Sequence, residues 1–265
     1  MQIFSLAYHY LFYRLKSLRL HGVHSPFVFD LYENVIRHDG HFAAYQQIED
    51  LREQLLHDSA TLSVTDLGAG SRTKASKHRQ IASIARTAAK PAKYAQLLFR
   101  LVNHFQPRTV LELGTSLGLT TAYLAAARQK SQVITFEGCP NIAAAAKKNF
   151  KQLHLNNIRQ VIGHLDETLP ATLPELPSAD LVYFDGNHRY SPTMRYFETC
   201  LAKRTDESVF IIDDIYWSAE MTRAWREICR HPDVTISIDL FHLCVPPLIF
   251  IFSLKEKART IHLTG

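Results

Sequence analysis

Two apolar runs in this chain end in acid. In DLVYFDGNHRY, residues 180–190, the run breaks at Asp185-Gly186 and is followed by His188 and Tyr190. In SVFIIDDIYW, residues 208–217, it breaks at the pair Asp213-Asp214. As parallel strands of one sheet, both runs would end at the same crevice, and three carboxylates would meet there. Buried carboxylates repel one another and desolvate badly, so a cation among them resolves the conflict. A few oxygen donors suit Mg²⁺, which keeps waters and accepts substrate oxygens. Asp185, Asp213 and Asp214 are therefore candidate metal ligands. The plainer alternative is helix capping by these acids, with His188 only bonded to a neighbouring carboxylate.

A second constellation lies upstream, in Thr109–Leu124, TVLELGTSLGLTTAYL. An apolar run with one embedded acid, Glu112, stops at Gly114. It passes Thr115-Ser116-Leu117 to Gly118 and becomes an alanine-rich helical pattern. Strand, glycine turn and helix form the nucleotide-side corner of a doubly wound sheet. The glycines permit a tight turn and a close approach of ligand to backbone. The spacing E-x-G-x-x-x-G differs from the G-x-G-x-x-G of dinucleotide folds. The next apolar run, 132–136, ends at Glu137-Gly138-Cys139-Pro140. An acid at the tip of the second strand, about 20 residues beyond the glycine turn, is where such folds grip a ribose diol.

LELGTSLG together with TFEGCP resembles the class I S-adenosylmethionine-dependent methyltransferases. The resemblance implies that Glu112, Gly114, Thr115, Ser116 and Gly118 hold the methionine part of the cofactor, and that Glu137 and Gly138 hold its ribose. It also implies that the loop after the third strand, His164-Leu165-Asp166 within IRQVIGHLDETL, covers the adenine, with Asp166 accepting from an amino group. The strand-end acids resemble those of the metal-dependent O-methyltransferases of the catechol and caffeoyl-CoA type. That type carries one aspartate after the fourth strand and Asp-Asn after the fifth; here the pair is Asp-Asp, so Asp214 departs from the pattern. DGNHRY resembles the D-G-x-H-x-Y of sugar and antibiotic O-methyltransferases. This makes His188 the candidate base or substrate contact, with Asp185 a candidate catalytic residue beside it as well as a cofactor and metal contact.

The implied activity is divalent-metal-assisted methyl transfer from S-adenosylmethionine to a hydroxyl of a small molecule. The alternatives are a metal-independent N- or carboxyl-methyltransferase and a non-catalytic scaffold that binds S-adenosylmethionine or S-adenosylhomocysteine. The D/N-P-P-Y signature of base-amino methyltransferases is absent, which argues against nucleic acid as substrate. The glycine spacing and the lack of Tyr-x-x-x-Lys argue against an NAD-dependent oxidoreductase.

These residues need a scaffold to hold them. Strands are expected at 109–113, 132–136, 159–162, 180–185, 208–213, 234–239 and 247–253, with helices between, an alternating α/β pattern. The resemblance makes this a Rossmann-like, seven-stranded class I methyltransferase sheet with its last strand antiparallel. It spans 92–265, behind a helical N-terminal extension over 1–91 that would serve substrate selection, a lid or dimer contacts. Residues 1–20 carry apolar positions at helical spacing (Ile3, Leu6, Tyr10, Leu11, Leu15, Leu18). Packing on the catalytic domain or on a second copy in a homodimer is favoured over lying on a membrane through Arg14, Lys16 and Arg19.

Ser25-Pro26 is a helix start beside His24, which reads as a loop histidine. Residues 28–57 should form two helices broken near Asp39-Gly40. TLSVTDLGAGSR, residues 61–72, offers a second glycine corner at Asp66-Leu67-Gly68-Ala69-Gly70, and Asp66–Lys74 reads as a flexible glycine loop: a lid bearing Arg72 and Lys74, or a plain surface turn. Residues 77–89 and 94–105 both read as helical, with no strand before Thr109.

The chain has 265 residues and a formal charge of +5, enough to favour anionic ligands without requiring nucleic acid. Four cysteines (Cys139, Cys200, Cys229, Cys244) lack metal-type spacing and read as reduced residues of a cytoplasmic protein. No apolar stretch is long enough to span a bilayer, and residues 1–20 lack the charge order of a signal peptide.

Overall fold

The computed structural model describes residues 25–65, 78–240, 248–252 and 259–262, the last two segments by backbone alone. The expected helix over 1–20, His24, the glycine loop at 66–74 and Cys244 lie outside the described residues. In chain order the elements are α1 (Pro26–Leu31, running into a π-turn over Tyr32–Ile36), α2 (Ala43–His57), β1 (Thr61–Ser63), β2 (His78–Gln80), α3 (Ile81–Ala88) and α4 (Ala92–Phe105). Then come β3 (Thr109–Leu113), α5 (Leu119–Ala127), β4 (Gln132–Glu137), α6 (Pro140–Gln152), β5 (Ile158–Ile162) and α7 (Leu165–Thr172). The chain continues with β6 (Leu181–Phe184), α8 (Tyr190–Leu201), β7 (Val209–Ile212), α9 (Ala219–Ile228), β8 (Ile236–Leu240), β9 (Leu248–Phe252) and β10 (Arg259–His262). Contacts divide the chain into two compact units, the described parts of 39–179 and those of 1–38 with 180–265.

In the unit spanning 39–179, β3, β4 and β5 are parallel and in that order, with Leu111 opposite Ile134 and Ile134 opposite Arg159. Every residue of β3 is buried, as a strand covered on both faces requires. Ile48 and Leu51 of α2, Ile84 of α3, Phe99 of α4 and Tyr123 of α5 fill one core. The Phe99 ring lies 4.8 Å from Phe42 and 5.1 Å from Tyr45. Each such side chain contributes about 1.5–3 kcal/mol through burial. The turn after α4 is made by Gln106 in the left-handed region, φ 51°.

One expectation is corrected in this unit. Residues 78–80 are not helical; they form β2, which pairs antiparallel with β1, Leu62 facing Arg79. These are three-residue strands of mostly polar side chains, so no hydrophobic alternation announces them. Helix α3 begins only at Ile81, where the Ile81 amide bonds Ala60 O and the Ala82 amide bonds Asp58 O.

In the other unit the strand order is β10-β8-β9-β7-β6. β6 and β7 are parallel, β9 runs antiparallel to both β7 and β8, and β10 is parallel to β8. The antiparallel strand expected at 247–253 is thus present. Four strands were expected after residue 180 and five are found among the described residues: the extra one, Arg259–His262, takes the edge beside β8. Four residues at the end of the chain carry too short a pattern to register as a strand. Ser25 caps α1 as anticipated, its hydroxyl accepting from the Val28 amide at 3.4 Å. The break near residue 39 separates α1 and its π-turn from α2. Among the described residues no helix is long and apolar enough to cross a membrane.

Candidate functional site

The glycine corner is fixed by backbone hydrogen bonds. β3 ends at Leu113, and the amides of Gly114 and Thr115 both reach the Phe136 carbonyl at 3.1 Å, locking the turn to the end of β4. Gly114 (φ 116°), Ser116 (φ 48°) and Gly118 (φ 80°) all lie in the left-handed region. Gly118 begins α5, and a Cβ there would fall onto the Phe150 ring, 2.6 Å from Cζ. The Asn149 amide side chain donates to Leu117 O at 2.8 Å and holds the outer side of the turn.

Glu137, at the tip of β4, faces this turn. Its Oε2 accepts from the Ser116 amide and its Oε1 from the Cys139 amide, both at 2.9 Å. Burial pushes its carboxyl above the usual range, and the amides of Cys139, Ser116 and Gly138 pull it part of the way back. The Glu137 carbonyl in turn accepts from the Gly163 amide at 3.0 Å. That bond brings the loop before α7 to the same corner. There His164 caps α7, its Nδ1 accepting from the Asp166 amide at 3.2 Å, and Asp166 is exposed. Glu112, Gly114, Thr115, Ser116, Gly118, Glu137, Gly138 and the segment 164–166 are thus gathered at the carboxyl ends of β3, β4 and β5.

Glu112 sits deeper than a surface ligand would. It is fully buried, and its Oε2 accepts from the hydroxyls of Thr121 and Thr135, the latter at 2.6 Å. Thr135 also shares a 2.5 Å hydrogen bond with Thr115 of the turn. Oε1 is buried without a hydrogen-bond partner. Desolvation raises the carboxyl to about 8, against the lowering effect of the two threonines and with a small push from Glu137. With two hydroxyls donating to Oε2, the retained proton belongs on Oε1.

In the second unit, the acids at the ends of β6 and β7 separate into two roles. His188 Nε2 stands 3.8 Å from Asp185 Oδ1 and 3.5 Å from Asp214 Oδ2. Asp214 is held in the left-handed region, φ 57°, as is Asn187 at φ 54°. Aspartate and asparagine tolerate this better than most residues, and such positions concentrate at functional sites. Asp213 turns inward. It is fully buried, with Oδ2 accepting from the Tyr183 hydroxyl at 2.7 Å and Oδ1 from the Asp214 amide at 2.9 Å. Asp185, His188 and Asp214 are brought together; each oxygen of Asp213 accepts a hydrogen bond, from Tyr183 and from the Asp214 amide. Among the described residues no group of three His, Cys, Asp or Glu side chains is placed to share a metal ion.

Tyr190, the last residue of DGNHRY, serves the scaffold. Its amide donates to Glu220 at 3.0 Å, its hydroxyl donates to Glu227, and the Arg223 guanidinium lies 4.2 Å from its ring centre. It ties the start of α8 to α9. Sequence reasoning passed over Thr121 and Thr135, which hold Glu112, and Tyr183, which holds Asp213. The legible signal was hydroxyl-bearing residues inside otherwise apolar elements.

The parallel strands, the left-handed turn after β3 and the acid at the tip of β4 define a Rossmann-like class I methyltransferase fold. Residues 111–215 match the family described as "Methyltransferase domain". The chain is 30% identical to a catechol O-methyltransferase of Niastella koreensis over 126 residues, 46% of this chain and 55% of that protein. It is 31% identical to a catechol O-methyltransferase of Mycobacterium tuberculosis over 126 residues, 47% of this chain and 56% of that protein. It therefore spans about half the length of the curated relatives it matches. An O-methyltransferase from Bacillus cereus, solved with S-adenosylhomocysteine, has the same fold: TM-score 0.59 at 16% identity, covering 83% of this chain and 93% of that one. The chain resembles the S-adenosylmethionine-dependent methyltransferases and, among its curated relatives, the catechol O-methyltransferases.

Proposed function

We propose that this chain transfers the methyl group of S-adenosylmethionine to a hydroxyl of a small molecule. The observation that carries the reading is the Glu137 carboxylate, presented at the glycine turn by the Ser116 and Cys139 amides. Fixed in this way, it offers oxygens at the place where such folds grip a ribose diol. The orphaned Oε1 of Glu112 fits the same ligand. The cofactor's ammonium would draw the proton from Glu112 and pair with its charge.

The sulfonium already activates the methyl group, so the chain's task is alignment and exclusion of water. His188 takes the proton of the attacking hydroxyl on Nε2. Asp185 and Asp214, on either side, stabilise the imidazolium that results. The same two carboxylates fit a hard divalent cation such as Mg²⁺, which is commonly held by one or two carboxylates and keeps its waters. Asp185 and Asp214 would hold it, while Asp213 supports Asp214 from behind. Such an ion supplies a lowered hydroxyl pKa and a fixed acceptor oxygen. The inward commitment of Asp213 favours a second reading, metal-independent transfer with His188 alone as base.

In this reading residues 92–265 carry the chemistry, and 1–91 serve acceptor choice, a lid or dimer contacts. The test is methyl transfer from S-adenosylmethionine to 1,2-dihydroxybenzene, with Mg²⁺ and with EDTA. Transfer lost in EDTA and restored by Mg²⁺ supports the metal-assisted reading. Transfer indifferent to EDTA supports His188 acting alone, and binding of S-adenosylhomocysteine without any transfer supports a scaffold.

A further inference from the structure

One buried acid is used by nothing described so far. Asp239 lies inside β8, fully buried in a strand whose other members are Ile236, Ser237, Ile238 and Leu240. A carboxylate there costs several kcal/mol unless it is held by hydrogen bonds. Its Oδ2 accepts from the Tyr216 hydroxyl. Tyr216 is two residues beyond Asp214, in the turn that leaves β7. That turn is pinned from every side. The Asp213 amide bonds Phe184 O at 3.1 Å, Tyr183 donates to Asp213, Thr222 donates to Ile215 O at 2.9 Å, and the Trp217 amide bonds Asp214 O at 2.9 Å. Within it, Asp214 is kept at φ 57° with Oδ2 3.5 Å from His188 Nε2.

Resting on the proposed function above, we propose that Tyr216 and Asp239 are positioning residues for the reaction. Asp239 anchors the Tyr216 phenol to β8, and the phenol fixes the 213–217 turn in the strained form that presents Asp214 to His188. A left-handed non-glycine residue relaxes unless its surroundings over-determine it. The Tyr183 bond holds the β7 end of the turn; the Tyr216 bond holds its far side together with the Thr222 bond to Ile215 O. Neither residue touches the reacting atoms in this account.

The test compares three variants. Tyr216→Phe removes the link but leaves the Asp239 carboxylate without the phenol, which endangers folding. Tyr216→Phe/Asp239→Asn removes link and charge together and keeps the fold testable. Asp239→Asn alone keeps an oxygen that accepts from the phenol. Methyl transfer to 1,2-dihydroxybenzene and a crystal structure of the double variant are the readouts. The double variant is expected to melt cooperatively and to lose about 10–100-fold in kcat, with KM for S-adenosylmethionine within twofold of the unmodified protein, the range seen when a positioned catalytic group is misplaced. Its His188–Asp214 separation should exceed 4 Å, the usual ion-pair limit, and Asp239→Asn should stay within about threefold of normal kcat. A double variant with normal kcat, or with the His188–Asp214 approach intact, overturns the proposal. So does an Asp239→Asn variant as impaired as the double one. If the unmodified protein transfers no methyl to this acceptor, the proposed function fails there, and the His188–Asp214 separation in the double variant still decides the positioning role.

Discussion

Glu137 Oε2 accepts a hydrogen bond from the Ser116 amide at 2.9 Å, so the acid at the tip of one strand orders the glycine turn at the tip of the next. The Cys139 amide, also at 2.9 Å, uses the other oxygen. Glu137→Gln presents an NH₂ group to one of these two amides and leaves that donor unsatisfied. The ligand-free protein should lose about 1–3 kcal/mol, read from urea denaturation. An unchanged midpoint would show that the turn is held by other bonds.

The buried Glu112 predicts a pH dependence. The native carboxyl keeps its proton to about 8, while the unfolded chain releases it near 4.5. Between these values the native state binds more protons, so stability falls as pH rises, by up to about 1.4 kcal/mol per unit. Glu112→Gln should flatten that slope in denaturation series across the window. Binding of S-adenosylhomocysteine near pH 7 should also release a proton from Glu112. The measured binding enthalpy would then differ between buffers of different ionisation enthalpy, and the difference should vanish in Glu112→Gln.

Gly118→Ala tests the packing of the turn against Phe150. The left-handed backbone there costs a non-glycine residue about 1–2 kcal/mol, and the new methyl must displace Phe150 at a further ~1–3 kcal/mol. A combined loss of ~2–5 kcal/mol in stability, read from denaturation, together with weakened S-adenosylhomocysteine binding, is expected. A fully stable variant with normal affinity would show that the turn tolerates a side chain.

His188 carries the proton in the proposed mechanism. His188→Ala should lower kcat for methyl transfer to 1,2-dihydroxybenzene by about 10²–10⁴-fold, the usual contribution of a general base. The dissociation constant for S-adenosylhomocysteine should stay within about threefold. Asp185→Asn and Asp214→Asn should each act in the same direction by removing a carboxylate beside Nε2. If His188→Ala turns over normally, another group accepts the proton.

What the sequence disclosed follows from what each feature needs. Long apolar runs ending in glycine or acid, as at Gly114, Glu137, Asp185 and Asp213, mark strand ends because a buried parallel strand has no other composition available to it. The first strands fell where they were expected, 109–113 without any shift. β1, β2 and β10 stayed hidden because strands of three or four residues gain their stability from a partner, and their own sequence carries little trace of it. The roles of the acids were only half legible. Asp213 and Asp214 are adjacent and chemically identical, yet a turn at φ 57° sends one to Tyr183 and the other to His188. Spacing cannot show which way an adjacent pair divides. Asp239 was readable only as an acid out of place in an apolar strand.

Every role proposed for the site depends on Glu137 holding a nucleoside at the glycine turn. Titration calorimetry of S-adenosylhomocysteine into the unmodified protein and Glu137→Ala tests it most directly. A saturable site is expected in the former and at least a ~30-fold weaker one in the latter, about 2 kcal/mol, with a cooperative melt retained. Equal affinity in the two proteins, or no binding to the unmodified one, would contradict it.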